Sequence, residues 1–395
     1  MSAEALAAAP AAVETPADEA AFAAAVAEAA AHRRAVEIVG GGTRRALGGA
    51  VQADVRLSTA ALDRVALYEP AALTLVAGAG CRLSTVEAML AAEGQRLPFE
   101  PMDHRPLLGS SGESTLGGVV ACNVSGPRRI AAGACRDSLI GVRFVDGSGR
   151  VVKNGGRVMK NVTGYDLVKL MAGSWGVLGA ITEVAFKLLP IPETERLVFL
   201  DGLSDRAGVA ALSAALGSPY DVTGAAHLPG GRTLIRIEGF ETSVAYRAER
   251  LAALLAPHGA AAIEADPATA AETWRAVRDA RPAAAREGVI WRVSVKPTDG
   301  PVLAERVASV AAPALYDWGG GLVWLVSKAE DGGAAAIRAA AADLGGHATL
   351  IRAPDALRAK VPPFQPEKPA VAALSAAIRA RFDPAGVLNP GRMAA

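Results

Sequence analysis

Residues 38–49 read IVGGGTRRALGG, so an apolar strand pattern runs straight into a stretch holding five glycines. Glycine loses more backbone freedom on folding than any other residue, so the stretch costs stability unless the backbone must turn with positive φ or let something approach closely. A strand that leads into main-chain N–H groups with no side chains in front of them is a cradle for phosphate oxygens. Hydrogen bonds to such a charged group contribute about 1.5–3 kcal/mol each, and a few would offset the glycine cost. A plain glycine-rich turn accounts for the same residues, and on this stretch alone both readings stand. A dinucleotide fingerprint GxGxxG starting at Gly40 fails because Arg45 stands where its last glycine belongs, and no GK[ST] follows to make a nucleotide-triphosphate loop.

The rest of the composition narrows the class. With 395 residues, 51% of them hydrophobic, the chain buries a large core and is expected to form two lobes. Lys+Arg 41 against Asp+Glu 40 gives a net charge of +1, which leaves no electrostatic footprint for nucleic acid or an anionic membrane surface. Cys81, Cys122 and Cys135 are odd in number and never form a CxxC pair. A disulfide framework and a four-thiolate cluster are therefore unsupported, and reduced, buried thiols in a cytosol are expected. Successive histidines are more than thirty residues apart, which excludes the short spacings of a local metal site, and no metal is expected. The opening MSAEALAAAPAAVETPADEA carries acidic residues where an export signal carries basic ones, and no later apolar run reaches membrane-spanning length. Residues 1–14 are expected to be a disordered, Ala-rich leader.

Along the chain, Thr15 as N-cap, Pro16 at the first helical position and Asp18 predict a helix running to about Arg34. Strand patterns follow at 36–40 and 73–80, and a helix at 84–94 is expected to start on Ser84, with Glu87 at the capping-box position. Asp146-Gly147-Ser148-Gly149 predicts a hairpin. A short helix, a glycine turn and a long strand then lead to Pro190 and Pro192, which mark a boundary near 190. Beyond it, helices are expected at 205–216, 243–257, 301–311 and 333–344, with strands at 232–239, 289–297 and 321–327. A proline-rich link, a helix at 370–383 and a coil complete an α+β chain.

Three motifs in order, EIVGGGT at 37–43, STLGGVVACNVSGP at 114–127 and GSWGVLGAITEV at 173–184, resemble the vanillyl-alcohol oxidase superfamily of PCMH-type FAD-binding proteins. The resemblance implies an α+β fold in which a two-subdomain FAD-binding domain spans 15–190 and a smaller α+β cap spans 191–350. The segment 351–395 would return to the FAD domain. It also implies site residues. The backbone of Gly41, Gly42 and Thr43, with Arg44 alongside, would hold the pyrophosphate. Ser114, Thr115, Gly117 and Gly118 would approach the same diphosphate from the other side, with Asn123 near the flavin ring and Gly179 and Ile181 at the adenosine end. The first loop holds Thr43 and Arg44 and no histidine, which implies FAD bound non-covalently.

GPRR at 126–129, VMKNVTGYDLVKLMAGSWG at 158–176, DWGGGLVWL at 317–325 and FDPAGVLNPGRM at 382–393 resemble, more narrowly, the smaller FAD-binding E subunits of bacterial glycolate oxidases. That family implies an FAD-dependent oxidoreductase subunit of a complex acting on glycolate or a similar 2-hydroxy acid. The implied partners are a larger, catalytic flavin subunit and an iron–sulfur subunit. A cytoplasmic location is implied, with any membrane association arising through those partners. Asn389 becomes a candidate flavin neighbour, and Arg392 a second. The HxGDGNxH segment of the sister catalytic subunit is missing: this chain reads GGHATLIRAPDALR there, with His347 alone. No catalytic residue is assigned, and the chain is expected to relay electrons. Trp175 also stands where the sister family usually has Glu, so contacts to the adenosine half are expected to differ. Two alternatives stay open, a free-standing FAD-dependent 2-hydroxy acid dehydrogenase with Tyr165 or His104 as its base, and a non-catalytic assembly subunit that has lost FAD.

Several residues carry two readings. Arg128 and Arg129 are an anion-binding or docking patch, or else a solvated basic turn. Arg292 alternates with Trp291 along a strand; it is a carboxylate ligand if its face looks at the flavin and an outward charge otherwise, and the outward charge is the expectation. Trp318 and Trp324 are read as core in preference to ring-stacking partners. Lys160, Asn161, Tyr165 and Asp166 serve either loop hydrogen bonding or a position near the cofactor.

Overall fold

The computed structural model describes residues 12–156 and 164–393. Its first part holds two larger sheets and a two-stranded pairing of Gln95–Arg96 with Leu189–Pro190. Val36–Val39 pairs in parallel with Val55–Ser58, which pairs in parallel with Ala12–Glu14. Phe22, Val26 and Ala29 of the helix Glu19–Ala31 pack beside this small sheet, in one cluster with Val36, Val55 and Leu57. The helix starts later than its sequence suggests: Asp18, not Thr15, is the N-cap, accepting the Ala21 N–H at 2.8 Å. Ala12–Glu14 form a strand, which corrects the disorder expected for those three residues, and residues 1–11 lie outside the described ones.

The second sheet is five-stranded and runs Val65–Glu69, Thr74–Gly78, Ala180–Lys187, Leu139–Val145, Val151–Gly155. Its last two strands are the hairpin expected around residues 146–149, where Asp146 accepts the backbone N–H groups of Ser148 and Arg150. The helix Leu83–Ala92 is capped by Arg82 with no side-chain bond, so Ser84 is inside the helix and bonds Glu113 instead.

Residues 194–352 contribute an eight-stranded sheet, ordered Ala261–Glu264, Thr194–Asp201, Arg232–Gly239, Val222–His227, Ala311–Asp317, Leu322–Ser327, Val289–Ser294, His347–Arg352. Helices cover one face. Asp205–Leu216 and Glu241–Leu255 bury Leu212, Val244 and Leu251 there, and Leu303 and Ile337 pack on Trp291 and Val293 farther along. Leu197, Leu234, Ile290, Trp324 and Ile351 point the other way, into one continuous core with Phe99, Phe144 and Phe186 of the first part. The helix Gly300–Arg306 ends five residues before the expected 311. The helix Pro267–Arg278, capped by Asp266, was absent from the sequence reading.

The seam between the two parts also carries a buried charge network. Arg236, 0% exposed, forms a two-pronged pair with Glu100 at 3.0 Å on each arm and lies over the Trp274 ring. Arg128 donates to Glu238 and pairs with Glu100, and Arg96 donates to Glu238 at 2.7 Å. Arg128 is therefore neither a solvated turn nor an external docking patch, because its charge is consumed inside the molecule.

After the proline-rich link, the helix Pro369–Phe382 hands the chain back to the first part. Val36 N–H donates to Val387, and Asn389 N–H donates to Val36, so residues 387–389 line up along the free edge of the first strand.

Candidate functional site

Five glycines of the first loop serve different neighbours. A β-carbon on Gly41 would lie 1.5 Å from the Glu113 carbonyl oxygen, and one on Gly40 would lie 2.3 Å from the Thr115 hydroxyl. The two glycine-rich stretches thus meet in space, and the close approach is of one backbone to another. Gly49 would collide with the Gly391 carbonyl at 2.0 Å, so the last pair of glycines makes room for the returning chain end. Gly42 differs from these: its φ is +77° and nothing stands within 4 Å of its missing β-carbon. It faces an open cleft.

That cleft, together with the open solvent at its mouth, takes in about 750 Å³ of empty space. Gly41, Gly42, Thr43 and Arg44 form one wall and Thr115, Gly117 and Gly118 the second, and Trp175, Gly179, Ile181, Asn389 and Arg392 are among the residues that line the rest. The N–H groups of residues 41–44 donate no hydrogen bond among the described residues. On the second wall the two glycine N–H groups are committed: Gly117 donates to Ala79 at 2.8 Å, and Gly118 makes a long bond of 3.4 Å to Thr115. These glycines offer lack of bulk more than donors.

Arg44 is buried behind the first wall. It donates to the Ser114 hydroxyl at 2.8 Å, to the Met102 carbonyl at 3.2 Å and to His104 Nδ1 at 3.3 Å. No carboxylate lies within ion-pair distance of it among the described residues. Burial and the neighbouring Arg44 charge push the His104 imidazole down to about 3, so it is neutral and its Nδ1 is occupied. Glu37, also buried, gathers Arg45, Arg56 and Arg392. Burial works to raise its carboxyl, but hydrogen bonds from Arg45 and Arg56 prevail and hold it below the usual carboxylate range. Arg392 spends its other nitrogen on the Arg45 and Leu47 carbonyls at 2.8 Å, pinning the loop.

Asn389 joins three strands of sequence. Its Oδ1 accepts the Ile38 N–H and its Nδ2 donates to the Trp175 carbonyl, both at 2.8 Å. Of the residues carried over by resemblance, Ser114 stands behind the cleft as the Arg44 partner, and Asn123 is outside the lining, accepting the Arg136 N–H at 3.0 Å. Ala121 and Cys122 line the cleft and were not picked out, since small residues on a short helix carry no distinguishing signal. Tyr165 is 88% exposed, and Asp166 caps the helix Leu167–Met171. Lys160 and Asn161 lie outside the described residues. Cys81, Cys122 and Cys135 are free thiols.

Whether the residues fit a dinucleotide is decided by the open face of Gly42, the four unpaired N–H groups and the uncompensated Arg44 guanidinium. All three ask for an anion, and a diphosphate matches them.

Residues 10–155 match the family model of an FAD binding domain. The fold is also that of a solved alkyldihydroxyacetonephosphate synthase, with a TM-score of 0.68 at 17% identity over 96% of this chain and 76% of that one. The architecture is therefore the PCMH-type, vanillyl-alcohol oxidase-like α+β fold. A mitochondrial D-2-hydroxyglutarate dehydrogenase from Bos taurus is 33% identical over 40% of this chain and 28% of its own length. The glycolate oxidase subunit GlcE of Escherichia coli is 36% identical over 327 residues, 82% of this chain and 83% of that protein. Likeness of that extent, across most of both sequences, makes this chain a member of the glycolate oxidase subunit GlcE family.

Proposed function

We propose that the chain is an FAD-binding oxidoreductase subunit of a complex that oxidises glycolate or a similar 2-hydroxy acid, and that it relays electrons within that complex. The observation that carries the reading is the row of unpaired N–H groups at 41–44 beside the acid-free Arg44. Gly41, Gly42, Thr43 and Arg44 hold the diphosphate of FAD non-covalently, with Thr115, Gly117 and Gly118 leaving room opposite. Ser114 fixes Arg44 in place. Gly179 and Ile181 flank the adenosine end and Asn389 stands toward the ring, while Asn123, outside the cleft lining, stays at most a more distant neighbour of it. Bound FAD supplies the two-electron redox step, while the protein supplies position and electrostatics.

The partition that follows is an FAD-binding domain over 15–190, a cap over 191–350 and a returning segment over 351–395. The expected partners are a larger catalytic flavin subunit and an iron–sulfur subunit. GlcD of Bacillus subtilis, a glycolate oxidase subunit 43% identical over 21% of this chain and 18% of its own length, supports the first of these. No helix among the described residues is long and apolar enough to cross a membrane. A cytoplasmic location is proposed, with any membrane association made through the partners.

The relay reading is favoured over a free-standing dehydrogenase by the two candidate bases. His104 is neutral but spends Nδ1 on Arg44, and Tyr165 faces solvent. Purification of the full chain alone tests all three readings. The expected result is a yellow protein that releases its flavin on denaturation and turns over glycolate only when the larger flavin subunit is added. Robust turnover by the isolated chain would overturn the relay, and a colourless chain that gains no flavin on reconstitution would overturn cofactor binding.

A further inference from the structure

Arginines along the seam between the eight-stranded sheet and the first part fall into two groups. Arg96, Arg128 and Arg236 are matched by Glu100 and Glu238. Arg129 and Arg292 are not. Arg292 pairs in register with Trp324 and Thr349, and its strand neighbours Trp291 and Val293 pack under the helices. Its own face is that of Ile290 and Trp324, which looks into the core shared with the first part. The expectation of an outward charge is therefore corrected: the side chain is half-buried and turned inward. Its guanidinium carbon lies 5.0 Å from the centre of the Trp318 ring.

Arg129 reaches the same ring from the opposite part, with its guanidinium carbon 4.6 Å from the centre. Trp318 is held for this, with φ +53°, its N–H bonded to Asp317 at 2.7 Å and its indole nitrogen bonded to the Gly126 carbonyl at 3.1 Å. Neither arginine side chain has an ion pair or hydrogen bond among the described residues. Asp317 acts on Arg292 and Asp137 on Arg129, but neither carboxylate comes within ion-pair distance of its arginine, Asp137 pairs with Arg136, and burial raises the Asp317 acid up to about 7. Burial, then repulsion from Arg129, pushes the Arg292 guanidinium down to about 10. Two cations drawn to one indole repel each other, and the stacking on the ring does not neutralise them. Planar guanidinium forks match a carboxylate, and the indole supplies an apolar floor beside it.

We propose that Arg129, Arg292 and Trp318 form a binding site for the carboxylate of a small organic acid of the 2-hydroxy acid class, assembled across the seam. The acid class rests on the function proposed above; the anion site rests on the two unmatched guanidinium groups. None of the three residues lines the glycine cleft, so the proposed site is a second one on the chain.

The test is calorimetric titration of the full flavin-loaded chain with glycolate, acetate and inorganic phosphate, repeated for Arg129→Met and Arg292→Met, with flavin content and thermal midpoint recorded for each. Saturable glycolate binding is expected, weakened about tenfold to hundredfold in each variant. Flavin content should be unchanged, and the midpoint should hold or rise, because removing an unmatched cation relieves repulsion. A purely structural stacking role predicts lower midpoints and unaltered glycolate binding, and that outcome would overturn the site. Absence of glycolate binding, or phosphate binding as tight as glycolate, would overturn it too. Loss of flavin from the parent chain counts against the cofactor reading alone, since glycolate titration of that flavin-free chain still decides the acid site.

Discussion

The side-chain oxygen of Asn389 accepts the Ile38 N–H at 2.8 Å, joining residues 351 positions apart. The same side chain donates to the Trp175 carbonyl, and its backbone sits at φ +43°, a region Asn tolerates better than most residues. Asn389→Ala removes both bonds and leaves two backbone groups unmatched. A loss of about 2–4 kcal/mol is expected, read as a lowered chemical-denaturation midpoint, together with weaker flavin retention on gel filtration. Full stability in this variant would mean the returning segment is merely draped over the first strand.

Gly41 and Gly42 are adjacent yet should fail differently. Gly41→Ala drives a methyl into the Glu113 carbonyl, so the two loops must part and the fold suffers. Gly42→Ala meets open space but must hold a left-handed backbone, at a cost of about 1–2 kcal/mol. Its methyl then occupies the cleft. Circular dichroism should find Gly42→Ala folded with reduced flavin content, and Gly41→Ala poorly folded.

Arg44→Met tests a buried cation that has hydroxyl, carbonyl and imidazole partners but no acid. The flavin-free variant is expected to be at least as stable as the flavin-free parent, while its affinity for FAD falls about tenfold or more. Fluorescence titration with FAD measures the second effect. Equal affinity would show that Arg44 is a packing element.

Acid should open the seam. Burial works to raise the Glu238 carboxyl, yet Arg236, Arg128 and Arg96 hold it well below the usual range, and Glu100 is held down the same way. A carboxylate depressed on folding contributes its full stability above the unfolded value of about 4.3 and loses it as pH falls toward the folded value. The thermal midpoint should therefore drop steeply below about pH 4. Glu238→Gln should flatten that drop while lowering stability at neutral pH, and Arg236→Met, which strands buried carboxylates, should cost about 3–5 kcal/mol at neutral pH.

The sequence was legible where a local rule sufficed. The amphipathic pattern placed the helix Asp205–Leu216 to the residue, and Asp-Gly-Ser-Gly placed the hairpin at 146–149. It was illegible where the partner is distant. Gly48 and Gly49 look like part of the same cradle as Gly41 and Gly42, but they answer to Gly391 and Arg392. Arg292 reads as an outward charge because alternation gives two faces and cannot say which one meets another lobe. The helix Pro267–Arg278 was missed despite a usable signal, Asp266 followed by Pro267, an N-cap and first-turn pair.

Residues 387–392 supply the third side of the cleft that residues 36–49 begin. A ribosome making this protein therefore emits the opening wall hundreds of residues before the one that braces it. Until translation reaches that stretch the receptacle is incomplete, so on the function proposed above a polypeptide cut short before residue 387 is expected to carry no flavin.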